Sequence, residues 1–97
     1  MIDDRSEKIA IRRKRLRFRA QRRGFKEVDL IFGAFADAHL ADLSSDEMDQ
    51  FEALLEAPDP DVYRWLKGDE DVPGEYDTAV FAKMKALCAR GKLAWNG

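Results

Sequence analysis

The sequence predicts an all-α protein, a compact bundle of five short helices, and three observations lead to that prediction. Apolar residues recur at spacings of three and four nearly throughout, which is the period of an amphipathic helix, and strand-like alternation is scarce. Glycine, proline, serine and aspartate separate the periodic stretches and leave room only for short loops. The 97 residues, 45% of them apolar, suffice for one small domain around a modest core.

Gly24 separates the first two predicted helices. The first covers about residues 4–23, and arginines occupy most of its surface. Its apolar face is formed by Ile9, Leu16 and Ala20, with Phe18 nearby. Gly24 is typical of a left-handed C-cap or a tight turn between helices. The second helix covers about residues 25–43, and its stripe predicts the most buried helix of the bundle. That stripe contains Phe25, Val28, Phe32, Phe35 and His39, and is widened by Ile31 and Leu40.

The third predicted helix has a clear start and a clear end. Ser44 followed by Glu47 fits a capping box, and Asp46 is favourable near the positive end of the helix dipole. The apolar face contains Met48, Phe51, Leu54 and Leu55. The helix reaches Ala57, because Pro58 cannot continue it and restricts the residue before it.

The last two helices are separated by the longest predicted loop, GDEDVPGEYD. Asp59 fits an N-cap and Pro60 the first helical residue of a short fourth helix, which Gly68 stops. Its apolar face contains Val62, Trp65 and Leu66. The fifth helix covers about residues 75–90, with Gly91 as its C-cap. Its inward residues are Tyr76, Val80, Phe81, Met84, Leu87 and Cys88.

The chain is predicted to be a single domain, residues 1–97. Its core covers about residues 9–91, and the ends 1–8 and 92–97 are expected to be flexible. No apolar run approaches the roughly 20 residues that span a bilayer, so no membrane insertion is expected. The acidic start lacks the apolar region of a secretory signal and the acid-poor composition of a transit peptide, which favours a cytoplasmic protein.

A single histidine and a single cysteine restrict the chemistry open to the chain. Cys88 has no cysteine to pair with, so neither an internal disulfide nor a multi-cysteine metal site can form. His39 would have to serve any Ser-His-Asp or Cys-His mechanism alone. We therefore predict no catalytic and no metal-binding residues. His39 is expected at the edge of the core, while Trp65 and an inert Cys88 are expected inside it.

The net charge of −2 conceals a strong asymmetry along the chain. Residues 1–26 hold 11 basic and 3 acidic side chains, whereas residues 27–97 hold 6 basic and 16 acidic ones. The arginine block at residues 12–23 is interpreted first as a solvated face whose stems pack on apolar surface. Binding of an acidic client face is the second interpretation. Nucleic-acid binding is the third, because only Phe18 interleaves the cations and the rest of the molecule would repel phosphate. A helix with so little apolar face is a poor membrane anchor.

The stretch RRGFKEVD, residues 22–29, has two interpretations. In the first it is a helix junction, in which Gly24 caps one helix while Glu27 and Asp29 complement the N-terminus of the next. In the second, Gly24 leaves the backbone bare so that a partner can approach closely. Arg23, Glu27 and Asp29 then flank the bare position with polar contacts.

RRGFKEVDLIFGAFA resembles the signature of the succinate dehydrogenase assembly factor 2 family, also called the flavinylation factor SdhE. The family hallmark, Arg-Gly-x-x-Glu-x-Asp, is present as Arg23, Gly24, Glu27 and Asp29. The upstream KRLRFRAQRRG is similar to the family's basic lead-in. The downstream SSDEMDQFEALLEAPDPDVYRWLKG is similar to its capped helix, its Asp-Pro-Asp turn and its Trp-Leu pair before a glycine. Phe25 departs from the common methionine by a tolerable apolar exchange. The likeness covers roughly residues 12–90.

The resemblance implies an assembly factor that binds the flavoprotein subunit of succinate dehydrogenase and promotes covalent attachment of FAD to a histidine of that subunit. It leaves fumarate reductase open as a second client. The partner-binding residues that it implies are Arg15, Arg22, Arg23, Gly24, Glu27 and Asp29. No cofactor is expected to be bound stably by this chain, since FAD is attached to the partner and no GxGxxG loop is present. The alternative hypothesis is a small nucleic-acid-associated or antitoxin-like regulator that uses the arginine helix.

Overall fold

Five α-helices follow one another through the residues that the computed structural model describes, 4–20 and 25–89. They are α1 (Asp4–Ala20), α2 (Lys26–His39), α3 (Ser45–Glu56), α4 (Asp59–Lys67) and α5 (Ala79–Ala89). Two short 3₁₀ segments, Leu40–Asp42 and Gly74–Tyr76, lie after α2 and before α5. No strand occurs within the described ranges. The predicted all-α, five-helix architecture is confirmed.

Helix α1 buries one narrow stripe. Leu16 has only 1% of its surface exposed, Ala20 is fully buried, and Ile9 packs against the core from its edge. Phe18 is 58% exposed, so the prediction that it lies near the core face is wrong. At about 100° per residue, Phe18 stands about 200° around the helix axis from Leu16. The predicted end of this helix and the capping role of Gly24 lie outside the described residues.

Helix α2 is the centre of the bundle and packs against α1, α4 and α5. Its inward residues are Val28, Ile31, Phe32, Phe35 and Ala36. The ring of Phe32 meets that of Phe51 of α3 edge to face, with centroids 5.7 Å apart. α2 ends at His39 rather than near residue 43, because the chain tightens into a 3₁₀ turn in which the Leu43 N–H donates to the Leu40 carbonyl at 3.3 Å.

The capping box at the start of α3 is confirmed. The Glu47 N–H donates to the Ser44 hydroxyl at 3.2 Å, and the Ser44 N–H donates to the Glu47 carboxylate at 3.0 Å. The start of α4 differs from the prediction by one residue. Pro58, not Asp59, is the N-cap, because the Pro58 carbonyl accepts hydrogen bonds from two amides of the first turn. Gly68 ends α4 as predicted, with φ +85° in the left-handed region.

Helix α5 begins at Ala79, later than the predicted residue 75. Two side chains determine this start. The side-chain amide oxygen of Gln50, on α3, accepts from the Val80 N–H at 3.1 Å, and the Thr78 hydroxyl accepts from the Phe81 N–H at 3.3 Å. Tyr76 therefore lies before the helix, not on it. It still packs on the core, with its ring stacked on Trp65 at a centroid distance of 5.0 Å. The predicted C-cap Gly91 lies outside the described residues.

Candidate functional site

The six predicted partner-binding residues are only partly described. Arg22, Arg23 and Gly24 lie outside the described residues. The other three lie on the helices before and after those residues: Arg15 on α1, and Glu27 and Asp29 in the first turn of α2. Arg15 and Glu27 are exposed, whereas Asp29 is half-buried. The assignment of these residues to a partner site stays a prediction.

The first turn of α2 fixes the direction of the acidic side chains. Val28 is fully buried, so its neighbour Glu27 points to solvent while the turn itself is anchored in the core. The Asp29 N–H donates to the carbonyl of Phe25 at 2.8 Å, which closes the first turn. Both carboxylates lie at the positive end of the α2 dipole, where negative charge is favoured. The part of the junction interpretation that concerns Glu27 and Asp29 is therefore confirmed, whereas the capping role of Gly24 lies outside the described residues; the Glu27 side chain is exposed.

Helix α4 packs against the start of α2 through the ring of Tyr63. The rings of Phe25 and Tyr63 are tilted against each other with centroids 5.3 Å apart, and the Lys67 ammonium lies 5.0 Å from the centre of the Tyr63 ring. These contacts hold the chain where it enters α2. Sequence reasoning missed this support, and it also missed Leu30, which is 51% exposed one turn after Glu27. Leu30 falls off the apolar stripe of α2, which is the signal that could have identified it.

Two arginines of α1 form ion pairs with α3. An Arg12 nitrogen lies 2.5 Å from an Asp49 oxygen and 3.4 Å from a Glu52 oxygen, while Arg19 lies 3.2 Å from the other oxygen of Glu52. The hydrogen bond with Asp49 is the largest cause that raises the pKa of Arg12 above its ordinary value. The positive charges of Arg12 and Arg19 are therefore partly neutralised by ion pairs within the molecule. The signal in the sequence is the run of carboxylates at spacings of three and four on α3.

Two further arginines join α1 to α2 and to the turn after it. The Arg17 guanidinium lies 2.6 Å from the Asp37 carboxylate, and Arg13 donates to the Leu43 carbonyl at 3.0 Å. The arginine block is thus not a uniformly solvated face. Most of its described arginines are paired with groups of α2, α3 or the connecting turn, which lowers the positive potential that α1 presents to solvent.

The single histidine and the single cysteine occupy packing positions, as predicted. His39 is half-buried at the end of α2, with its ring centroid 5.0 Å from that of Phe35. Cys88 is buried, and burial raises the pKa of its thiol to about 11, which keeps it protonated at neutral pH. Trp65 is buried in the core. Within the described part of the chain, no group of three or more metal-ligating side chains comes together, and no helix is long and apolar enough to cross a membrane.

The described residues define a small all-α protein whose imidazole and thiol serve packing, and whose described candidate partner-binding residues lie on α1 and in the first turn of α2. Over residues 14–88 the sequence matches the family described as the flavinator of succinate dehydrogenase. The chain belongs to this family. The matched region contains the Arg-Gly-x-x-Glu-x-Asp motif and extends from within α1 into α5, so the resemblance noted in the sequence is confirmed.

Curated relatives carry consistent names. The chain is 37% identical over 78 residues to the FAD assembly factor SdhE of Acetobacter pasteurianus, covering 80% of this chain and 72% of that protein. It is 30% identical over 95 residues to the mitochondrial succinate dehydrogenase assembly factor 2 of Dictyostelium discoideum, covering 98% of this chain and 67% of that protein. For assembly factor 2-A of Drosophila erecta, 32% identity over 82 residues covers 82% of this chain and 51% of the relative. These relatives are named as assembly factors, which confirms the prediction that the chain is not an enzyme.

Proposed function

We propose that this chain binds the flavoprotein subunit of succinate dehydrogenase and promotes covalent attachment of FAD to it. The observation that carries the proposal is the family match over residues 14–88, which contains the whole Arg-Gly-x-x-Glu-x-Asp motif. The exposure of Glu27 at the anchored first turn of α2 supports a docking role for that motif. A rigid element that presents polar groups to solvent is a suitable docking surface.

The contribution of the chain is positional. The flavin supplies the reactive group for its own attachment, and the acceptor histidine belongs to the client. A helper that holds the client in an attachment-competent arrangement accelerates the reaction by restricting its geometry, without a catalytic group of its own. In this proposal Gly24 permits close approach of the client backbone, since it carries no side chain. The cations Arg15, Arg22 and Arg23 and the carboxylates of Glu27 and Asp29 provide oriented polar contacts.

The decisive experiment is co-expression of the cognate flavoprotein with and without this chain, with covalent flavin read as fluorescence in a denaturing gel. We expect a fluorescent band that depends on the chain and that Gly24→Arg abolishes, because a bulky cation blocks the bare position. Gly74→Arg is the matched control, since no atom apart from neighbouring backbone lies within 4 Å of the Cβ position there and the site lies in the loop before α5. Equal fluorescence without the chain would show that it is not the flavinylation factor for this client.

The same experiment with the fumarate reductase flavoprotein tests the second client. The cytoplasmic location and the absence of a stably bound cofactor stay predictions, and flavin absorbance of the purified chain tests the latter. A chain that purifies with stoichiometric FAD would contradict it.

A further inference from the structure

Helix α1 carries a second apolar stripe on the side opposite its core stripe. Ile11 and Phe18 are 45% and 58% exposed, although both are large apolar residues. They are seven residues apart, so they share one face, and at about 100° per residue that face lies about 200° from the buried Leu16. A helix that only completes a core needs a single apolar stripe. Ile11 and Phe18 therefore lie outside the stripe by which α1 completes the core, and both present apolar surface to solvent.

Two cations lie between these apolar residues. Lys14 and Arg15 are exposed, and neither makes a hydrogen bond or an ion pair with the part of the chain that the structure describes. Arg12 and Arg17, by contrast, are tied to carboxylates of α3 and α2. We call the surface formed by Ile11, Lys14, Arg15 and Phe18 the outer face of α1. It combines apolar area with positive charge that the described fold does not neutralise.

We propose that the outer face of α1 is a second docking surface for the flavoprotein client, and that it receives a client surface carrying carboxylates beside exposed apolar side chains. The inference rests on the proposed function, which already assigns Arg15 to the client, and adds to it Ile11, Lys14 and Phe18 as further contacts outside the Arg-Gly-x-x-Glu-x-Asp motif. Charge complementarity determines the chemistry of the occupant, because Lys14 and Arg15 have no carboxylate partner among the described residues and can pair with carboxylates of a client.

The dimensions of α1 and the distribution of charge favour a protein client over other anions. Seventeen residues give a helix about 25 Å long, and one face of it is smaller than the roughly 800 Å² that each partner buries in a standard interface. The outer face is therefore one part of a larger contact, and the motif begins only a few residues after Phe18 in the sequence. Nucleic acid or an anionic membrane extends beyond the helix and meets the excess negative charge of residues 27–97.

The charged half of the proposal is tested by titrating the purified flavoprotein subunit with purified wild-type chain, Lys14→Glu and Arg15→Glu. Lys85→Glu is the matched control, because Lys85 is an exposed α5 lysine without a bonded partner in the described chain. We expect each α1 variant to raise Kd by roughly tenfold and to make Kd less dependent on salt, while the Kd of the control stays within about twofold of wild type. Wild-type affinity and salt dependence in both α1 variants would overturn the inference.

The apolar half is tested with the double variant Ile11→Ser and Phe18→Ser. We expect Kd to rise by roughly tenfold with an unchanged salt dependence, because apolar burial is lost and no charge changes. Circular dichroism of every variant checks that the helices are intact. If the double variant binds the client with wild-type affinity, the outer face is not an apolar contact.

The controls also separate this inference from the function on which it rests. A wild-type chain that does not bind the flavoprotein contradicts the proposed function itself. A wild-type chain that binds it while Lys14→Glu and the Ile11/Phe18 double variant bind equally well contradicts the inference alone. Parallel titrations with vesicles of anionic phospholipid and with duplex DNA cover the other occupants. Binding to either one that needs Lys14 and Arg15, with client affinity unaffected, would assign the outer face to that occupant instead.

Discussion

Glu27 occupies a position that suits the fold and that we propose also serves the client. It lies in the first turn of α2, where a carboxylate is favoured by the helix dipole, yet its side chain is exposed. The buried neighbour Val28 holds the backbone of this turn while the carboxylate reaches outward. The local structural role of Glu27 is small, so a larger effect of its loss on flavinylation would have to come from the client.

We predict that Glu27→Ala strongly reduces covalent flavin in the client while lowering the free energy of unfolding by no more than about 1 kcal/mol, the usual size of a surface charge–dipole interaction. Asp46→Ala is the control, because Asp46 is an exposed acid at the corresponding position in the first turn of α3. It should cost a similar amount of stability and leave flavinylation intact. Thermal melts and gel fluorescence measure the two effects. A parallel loss of flavinylation in both variants would show that helix stability, not docking, is responsible.

Helix α1 contacts the rest of the bundle in two ways, through ion pairs and through buried apolar side chains, and these differ in how much they stabilise its position. Its ion pairs with α3 use the exposed Asp49 and the half-buried Glu52, both still accessible to solvent, and ion pairs at the surface contribute about 0–1 kcal/mol each. Its buried contact with the rest of the core is provided mainly by Leu16 and Ala20. Apolar burial should therefore dominate the docking of α1, and the ion pairs should determine mainly its orientation.

Leu16→Ala should lower the free energy of unfolding by about 2–5 kcal/mol, since it removes a buried side chain and leaves a cavity. Arg12→Gln keeps most of the stem and removes the charge, so it should cost less than about 1 kcal/mol. Urea denaturation of both variants, at low and at high salt, checks the comparison. A larger loss in Arg12→Gln than in Leu16→Ala would mean that α1 is held chiefly by its ion pairs.

Glu47 links the start of α3 to α5 through one carboxylate. It accepts a hydrogen bond from the Lys83 ammonium at 2.7 Å and another from the Ser44 N–H at 3.0 Å. These bonds, that from Lys83 first, lower the pKa of Glu47 to about 2. Because the folded-state pKa lies below the ordinary value of about 4.5, the stabilisation is complete above that value and is lost as the pH falls towards 2.

We predict that Glu47→Gln flattens the acid limb of the stability profile between about pH 4.5 and pH 2. The amide still accepts from the Ser44 N–H but carries no charge for Lys83, so the variant isolates the ionic part. Glu75→Gln, at an exposed position in the loop before α5, serves as the control. Urea midpoints at a series of pH values provide the measurement. An acid limb in Glu47→Gln that is as steep as in wild type would exclude Glu47 as its source.

Element boundaries were predicted best where a strong local signal marks them, although the local 3₁₀ turn after α2 and the Pro58 cap of α4 were missed. The capping box at Ser44 and the left-handed Gly68 are local signals, and both were read correctly. The start of α5 depends on the local cap Thr78 and also on Gln50, which lies thirty residues away from the Val80 amide that it caps and which no local pattern contains. Phe18 was misplaced because a helix with two apolar stripes gives an ambiguous period.

For the candidate site, the sequence supplied the motif and the family, whereas the packing around it required the fold. Arg23, Gly24 and Glu27 lie within one five-residue stretch of the chain, so the motif was recognised directly from the sequence. The pairing of Arg12 with Asp49 joins residues 37 positions apart, and it changes how much of the arginine block is available to a partner. Such long-range pairs depend on how α1 lies against α3, which composition and spacing do not determine.

At the scale of the whole molecule, the charge asymmetry of the sequence is partly cancelled by folding. The arginine-rich α1 lies against α2 and α3, whose carboxylates pair with it, so this helix is not an extended cationic arm. Residues 27–97 carry 16 acidic side chains against 6 basic ones. A partner with a local acidic patch can use the remaining cations, whereas a polyanion must also approach the acidic surface.

We therefore predict no binding of labelled duplex DNA or RNA at about 50 mM salt, measured by fluorescence anisotropy, because nucleic-acid affinity grows with the number of available cations. The double variant Asp49→Asn and Glu52→Gln provides the matched comparison, since it releases Arg12 and Arg19 from their partners on α3. It should gain weak binding that disappears as salt is added. Micromolar binding by the wild-type chain with a steep salt dependence would contradict the prediction and support the regulator alternative. Binding by the variant alone would show that the carboxylates of α3 keep the basic helix from binding phosphate backbones, so that its contacts are restricted to a protein client.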